Sequence, residues 1–331
     1  VKFAPLALVL ALSAVPAAAE SVDEVALRYR LAGEVLIGKG DKIVLDKAYG
    51  TIDPAGGKPH RPGERWRLAS ITKQVTAALV VGAAGPALDR LDRPVAINAA
   101  DRGGFGDLTV RQLLTHHSGL PNPDRTSAGP DGVPSFYKGS QPDLAICLGG
   151  PAQPGAAFSY NNCDYIPFGL SKPGLTWPAG MAMAKPGERG VPGFVAGKPE
   201  PTFNLSSFGA AGGLLGTARS VFGFDRSLMT GKLLKPAALA ELWKPEGNGS
   251  YQALGQWVFP GQLKGCAKAK RIVQRDGEIW GVQARNFIFP DDDLVVIVFT
   301  NRSADDFAFG EVWEGKGFTY DLLSAAACPS A

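Results

Sequence analysis

Ser70-Ile71-Thr72-Lys73 is the first place in this chain where residue types and spacing suggest chemistry. Residues three apart share one face of a helix, so the spacing sets a lysine amine beside a serine hydroxyl. A lysine held in a partly desolvated place gives up its proton more readily and can then activate that hydroxyl as a nucleophile. A serine at a helix N-terminus also has its own backbone N–H and the helix dipole to steady an oxyanion. The same pattern recurs at Ser135-Phe136-Tyr137-Lys138, in a Gly/Pro-rich stretch. Only the copy at Ser70 opens an amphipathic helix pattern, so Ser70 is the candidate nucleophile and Lys73 its activator. A second phrase, Phe158-Ser159-Tyr160-Asn161-Asn162, reads either as Tyr160-x-Asn162 or as Ser159-x-Asn161, and both registers supply a proton carrier and an amide.

Other chemistries lack their residues. There is no GxSxG turn, and the only histidines are His60, His116 and His117, so a triad with a late histidine cannot be assembled. A P-loop, a GxGxxG after a strand and an HExxH are absent as well. The four cysteines form no CxxC and no cluster with histidine, which leaves a metal site without support. No cofactor is expected.

The elements that must position Ser70 and Tyr160 follow from the hydropathy pattern. Glu34–Gly38 and Lys42–Leu45 read as two strands joined by a Lys39-Gly40-Asp41 hairpin turn. Leu68–Ala84 reads as a helix with apolar residues at Ile71, Val75, Ala78 and Leu79. Thr109–Thr115 reads as a short helix with a threonine cap. Residues 121–160 and 171–200 are rich in turn formers and weakly patterned. A helix over Ala218–Met229 precedes strand-like runs at Leu254–Phe259, Arg271–Val273, Val282–Phe289 and Leu294–Thr300. Strands at both chain ends predict one sheet built from both termini, with a helical insertion between them. This is an α/β domain with a sheet lobe over about 20–66 and 205–331 and a helical and loop lobe over about 67–204.

The 331 residues are 45% hydrophobic and 20% charged, with 42 Gly and 26 Pro, an ordinary globular balance with many loops. That length fits one large domain or two interleaved lobes. The net charge of +3 is small and no Lys/Arg run is present, which excludes a nucleic-acid stripe. Lys2, the apolar run Phe3–Val15 and Ala17-Ala18-Ala19 have the layout of a cleavable signal peptide over residues 1–19, with Glu20 opening the mature chain. The expected location is therefore periplasmic or secreted, without a stable membrane insertion after cleavage. Export permits disulfides. Cys147, Cys163, Cys266 and Cys328 allow three pairings; Cys147–Cys163 closes a short loop and Cys266–Cys328 pins the C-terminal tail, and these two are favoured.

Several phrases together resemble one family. They are Arg67-Leu68-Ala69-Ser70-Ile71-Thr72-Lys73, the run Leu108–Pro121 with His116-His117-Ser118-Gly119, Pro154-Gly155-x-x-Phe158-x-Tyr160-x-Asn162-x-x-Tyr165, Ala211-Gly212-Gly213-Leu214-x-x-Thr217-Ala218-Arg219, and Val296–Asn301. In this order they resemble the penicillin-recognising serine hydrolases, in the branch that holds class C β-lactamases, D-amino-acid peptidases and esterases. The Pro154-Gly155 pair fixes the register on Tyr160-x-Asn162.

The resemblance implies a β-lactamase/transpeptidase-like fold and an acyl-enzyme mechanism. Ser70 would be acylated, Lys73 would activate it, and Tyr160 would share the proton work and serve the deacylating water. Asn162 would orient Lys73 and a substrate amide. The oxyanion would be held by the backbone N–H groups of Ser70 and Glu278. The family's third motif, a Lys or His followed by a small or polar residue and Gly, is matched by Arg275-Asp276-Gly277. An arginine there cannot act as a base and would meet a substrate carboxylate. The His116-His117-Ser118-Gly119 phrase reads as a structural loop. The helix that usually follows the Tyr-x-Asn loop is expected to be missing after Gly169. The substrate would be a β-lactam, a D-amino-acid or peptidoglycan-derived peptide, or an ester. The alternative is a non-catalytic receptor for cell-wall peptide.

Overall fold

The computed structural model describes residues 20–95, 105–170, 175–247 and 249–328; the leader expected over residues 1–19 lies outside them. Its main sheet contains β1 (Gly33–Lys39), β2 (Lys42–Tyr49), β3 (Gln252–Ala253), β4 (Gln256–Gly261), β5 (Lys270–Ile279), β6 (Val282–Phe289) and β7 (Leu294–Thr300). The strands lie in the order β2-β1-β7-β6-β5-β4-β3, all antiparallel. Both chain ends thus build one sheet, as the sequence pattern predicts. The seam is β1 against β7, with Gly33 opposite Thr300 and Lys39 opposite Leu294. The turn between β1 and β2 places Gly40 at φ 56°, a conformation glycine adopts without cost.

Both faces of this sheet are covered. Along β7, Val295, Ile297 and Phe299 point into one core while Val296 and Val298 point into another. That is why Leu294–Thr300 is apolar throughout rather than alternating. Helices α1 (Val22–Arg28) and α6 (Phe318–Ala327) cover one face with Val25, Ala26, Leu322 and Leu323. Helices α2 (Ile71–Ala84) and α5 (Ala218–Met229) cover the other with Ile71, Val75, Val221 and Phe224. Each such fully buried Val, Leu or Phe contributes roughly 1.5–3 kcal/mol. Helix α5 starts at a capping box between Thr217 and Ser220. The short α3 (Val110–Leu114) starts at another, between Thr109 and Gln112.

Three sequence readings shift. The helix expected from Leu68 starts at Ile71, because Ala69 takes φ 46° and breaks the helical path. The strand expected over Leu254–Phe259 runs instead over Gln256–Gly261, since Leu254 and Gly255, the latter at φ 76°, form the turn between β3 and β4. A helix expected to be missing after the Tyr160 loop is present in short form as α4 (Ile166–Leu170), where Ile166 and Phe168 are buried. Both favoured disulfides are formed, Cys147–Cys163 and Cys266–Cys328. Among the described residues no helix is long and apolar enough to cross a membrane.

Candidate active site

Ser70 is the N-cap of α2, but its hydroxyl caps nothing and is free for other partners. The turn before it is tight. Ala69 is fully buried at φ 46°, and the Leu68 N–H donates to the Leu214 carbonyl at 2.8 Å. A non-glycine residue in this region costs about 1–2 kcal/mol, which the surrounding packing must hold in place. The result is a serine presented at the mouth of a fourteen-residue helix, at the positive end of its dipole.

Lys73, one turn on, is completely buried. Its Nζ donates to Asn162 Oδ1 at 2.6 Å and to the Ala211 carbonyl at 2.9 Å, and it lies 3.2 Å from Ser70 Oγ. The first two partners can only accept. The remaining tetrahedral position of the amine therefore faces the serine hydroxyl. Burial pushes the Lys73 pKa down, and the Arg275 charge adds to this against the opposing pull of Tyr160. A neutral amine would donate to Asn162 and Ala211 and turn its lone pair to Ser70.

Tyr160 hydroxyl lies 2.6 Å from Ser70 Oγ. Burial alone would raise its pKa, but the charges of Lys73 and Arg275 outweigh this and lower it. The Lys73 ammonium also sits 4.6 Å from the ring centroid. Two proton placements share this geometry: amine with phenol, or ammonium with phenolate. They have the same composition and charge, and either can take the Ser70 proton.

Asn162 is held from behind. Its Nδ2 donates to the Tyr137 hydroxyl at 2.8 Å, and Tyr137 in turn bonds Asp124. This fixes the amide so that its oxygen points at Lys73. The adjacent Cys163 is bonded to Cys147, which anchors the loop that holds both Tyr160 and Asn162.

Arg275 is on β5 and is 1% exposed. Its Nε donates to the Ser70 carbonyl at 2.9 Å and its Nη2 to the Tyr160 hydroxyl at 2.8 Å. Only Nη1 has no hydrogen-bond partner among the described residues. The guanidinium expected to meet a substrate carboxylate is thus largely engaged inside the site. Gly277 is needed for a close approach: a Cβ there would lie 2.4 Å from the Leu68 carbonyl and 3.2 Å from Ser70 N. The Glu278 side chain is exposed, and its backbone belongs to the part of β5 that has no β4 partner. That pairing stops at Gln274 opposite Trp257, so Arg275–Ile279 presents an open edge beside the Ser70 turn.

Ser70, Lys73, Tyr160, Asn162, Arg275 and Gly277 are therefore brought together. The second Ser-x-x-Lys copy is not: Ser135 and Lys138 are exposed, and Lys138 pairs with Asp131 at 2.9 Å. What that copy does contribute is Tyr137, which the sequence reading passed over. His116 also stands closer to the chemistry than a loop role suggests. Its ring lies 4.6 Å from that of Tyr160, and its Nδ1 is 2.7 Å from Asp164 Oδ2, both groups fully buried. Burial lowers the His116 pKa and raises that of Asp164 to about 8, and the Asn161 N–H donates to His116 Nδ1 at 3.3 Å, which together favour a neutral imidazole beside a carboxylic acid. Nothing in the local sequence distinguishes Asp164 from a surface aspartate.

Residues 24–171 match the family model described as Beta-lactamase. Esterase EstB from Burkholderia gladioli is 34% identical over 125 residues, which span 35% of this chain and 32% of the esterase. The match thus takes in about a third of that relative's length. The fold is shared with a penicillin binding protein from Bacillus halodurans, with TM-score 0.65 and 20% identity over 92% of this chain and 99% of that one. It is shared equally with a D-amino acid amidase from Ochrobactrum anthropi SV3, with TM-score 0.69 and 17% identity over 92% of this chain and 99% of that one.

Proposed function

We propose that this chain is a penicillin-recognising serine hydrolase that cleaves an ester or amide through an acyl-enzyme on Ser70. The observation that carries this reading is the placement of Lys73 Nζ. Two carbonyl-type acceptors saturate it on one side and the Ser70 hydroxyl faces the other. A surface lysine near a serine would not be emptied of water and aimed in this way.

In the proposed cycle the Ser70 proton passes to the Lys73–Tyr160 pair as Oγ attacks the substrate carbonyl. The oxyanion is received by the Ser70 and Glu278 backbone N–H groups, on the open edge of β5. The pair then returns the proton to the leaving alcohol or amine, leaving the acyl group on Ser70. Water, deprotonated by Tyr160, attacks the acyl-enzyme, and Ser70 regains its proton. Arg275 holds Tyr160 and the Ser70 carbonyl in register throughout, and its positive charge favours the phenolate.

The two disulfides support an extracytoplasmic location. Among acyl donors, the engagement of Arg275 favours those without a carboxylate, such as a simple ester, over β-lactams and D-amino-acid peptides. The test is a turnover panel of p-nitrophenyl butyrate, nitrocefin and a D-alanyl-D-alanine peptide, run with the Ser70→Ala variant as control. Ester turnover that disappears in the variant supports the reading. Stable labelling of Ser70 by a fluorescent penicillin without turnover of any substrate would make the chain a receptor instead.

A further inference from the structure

Beside the catalytic residues lies a groove of about 340 Å³ that the mechanism above does not use. It adjoins the site through two residues. Phe158 stands two positions before Tyr160 on the same loop, and the Trp257 ring lies 5.0 Å from the Arg275 guanidinium. Its walls are aromatic and open to solvent: Phe158 is 48% exposed, Tyr251 52% and Trp313 70%. These three are half of the exposed large hydrophobic side chains of the described residues, gathered on one feature. Burying so much apolar surface is favourable, so leaving it bare beside a nucleophile points to a ligand.

The polar groups of the groove are mainly acceptors. Asp276 and Glu311 line it and both pair with Arg285, while the Arg275 guanidinium lies behind the Trp257 wall. Gln252 and Gln274 line it too and are 3% and 1% exposed. Their amide nitrogens are used: Gln252 Nε2 donates to the Ala253 carbonyl at 2.6 Å, and Gln274 Nε2 to Asp276 Oδ1 at 3.0 Å. Those donations fix the amide orientations, and both carbonyl oxygens are then without a hydrogen-bond partner among the described residues. The Ser250 hydroxyl can serve as donor or acceptor. Aromatic faces with two carboxylates among them suit an organic cation, which gains both cation–π and charge-assisted contacts.

We propose that this groove is a subsite for an organic ammonium, the amine-bearing part of the acyl substrate or of its leaving group. The charge meets Asp276 and Glu311, and the apolar body lies against Trp257, Trp313, Tyr251 and Phe158. The assignment of this ligand to the substrate rests on the hydrolase reading; the binding itself does not.

The experiment is a calorimetric titration of the Ser70→Ala protein with 2-phenylethylammonium, 2-phenylethanol and phenylacetate, which share the ring and differ in charge. The expected result is saturable binding of the ammonium, at least about ten-fold tighter than either of the others. Glu311→Gln should remove most of that preference, and Trp313→Ala, at an exposed position, should weaken the ammonium and the alcohol alike. Equal or tighter binding of phenylacetate or the alcohol would overturn the proposal. So would an ammonium affinity unchanged in both variants, or no saturable binding at all. Failure of the hydrolase reading would appear separately, as wild-type protein that does not turn over p-nitrophenyl butyrate while the titration result stands.

Discussion

Arg275 and Tyr160 meet at 2.8 Å, the guanidinium donating to the phenol oxygen while its Nε holds the carbonyl of Ser70. One side chain on β5 therefore fixes both ends of the proposed proton path. Its charge also acts on that path, lowering the pKa of Tyr160 and of Lys73.

Replacing Arg275 by Gln should move the pH profile rather than abolish the chemistry. The sign follows from the charge. Removing a cation raises the pKa of both groups, so the pair keeps its proton to higher pH and the acid limb of kcat/KM shifts upward. Activity on p-nitrophenyl butyrate at pH 7 should fall by about ten-fold or more, roughly one pKa unit, and recover at higher pH. A uniform loss at all pH values would make Arg275 a purely structural support.

Ser70→Ala should abolish covalent labelling, checked by mass spectrometry with a fluorophosphonate. Lys73→Met and Tyr160→Phe should each cost at least about 10² in kcat, the usual scale for general acid–base work. The double variant should lose little more than the worse single one, because both residues serve one proton transfer. Additive losses would assign them to separate steps.

Asp164→Asn should be well tolerated and Asp164→Ala should not. A protonated Asp164 donates to His116 and accepts from the Ser118 hydroxyl, and an asparagine amide can do both. Alanine leaves buried polar groups unpaired, at about 1–3 kcal/mol. The pH dependence gives a second check. Burial raises Asp164 to about 8 from an ordinary 3.8, so the folded chain binds the extra proton between these values. The stability this site contributes is full below the ordinary value and is lost as pH rises through about 8. Denaturant titrations across that range should show this slope in the wild type and its absence in Asp164→Asn.

Opening either disulfide should cost stability, by about 3 kcal/mol for Cys147–Cys163 and about 4 kcal/mol for the longer Cys266–Cys328 loop. Only the first should change kcat, since Cys163 adjoins Asn162 whereas Cys266 and Cys328 tie the tail beneath the far face of the sheet. Serine double variants, assayed well below their unfolding temperatures, separate the two effects.

What could be read from the sequence had local causes. Leu294–Thr300 is an apolar run and Val282–Phe289 ends in one at Phe287-Ile288-Phe289; both are bounded by turns and occupy the strands expected of them. Ala218–Met229 carries its amphipathic face within its own span and its cap, Thr217, directly before it. Ser70 and Lys73 announce each other by helical spacing. The rest depends on partners distant in the chain. Helix α6 was passed over because its alanine-rich run matters only where it meets α1 and the sheet. Tyr137 looks like filler between a serine and a lysine until Asn162 is placed against it. Arg275 reads as a charged residue for meeting solvent or substrate, and only the approach of Gly277 to the Ser70 turn reveals how deeply it is enclosed.

The seam between β1 and β7 sets the order in which the fold can come into being. Strand β1 is made about 250 residues before β7, the neighbour it pairs with. Such distant pairings close slowly, after most of the chain is available. The helix bearing Ser70 is likewise synthesised long before β5 brings Arg275 and the open strand edge to it. A chain caught partway through translation carries the proposed nucleophile but not yet the residues that surround it in the fold.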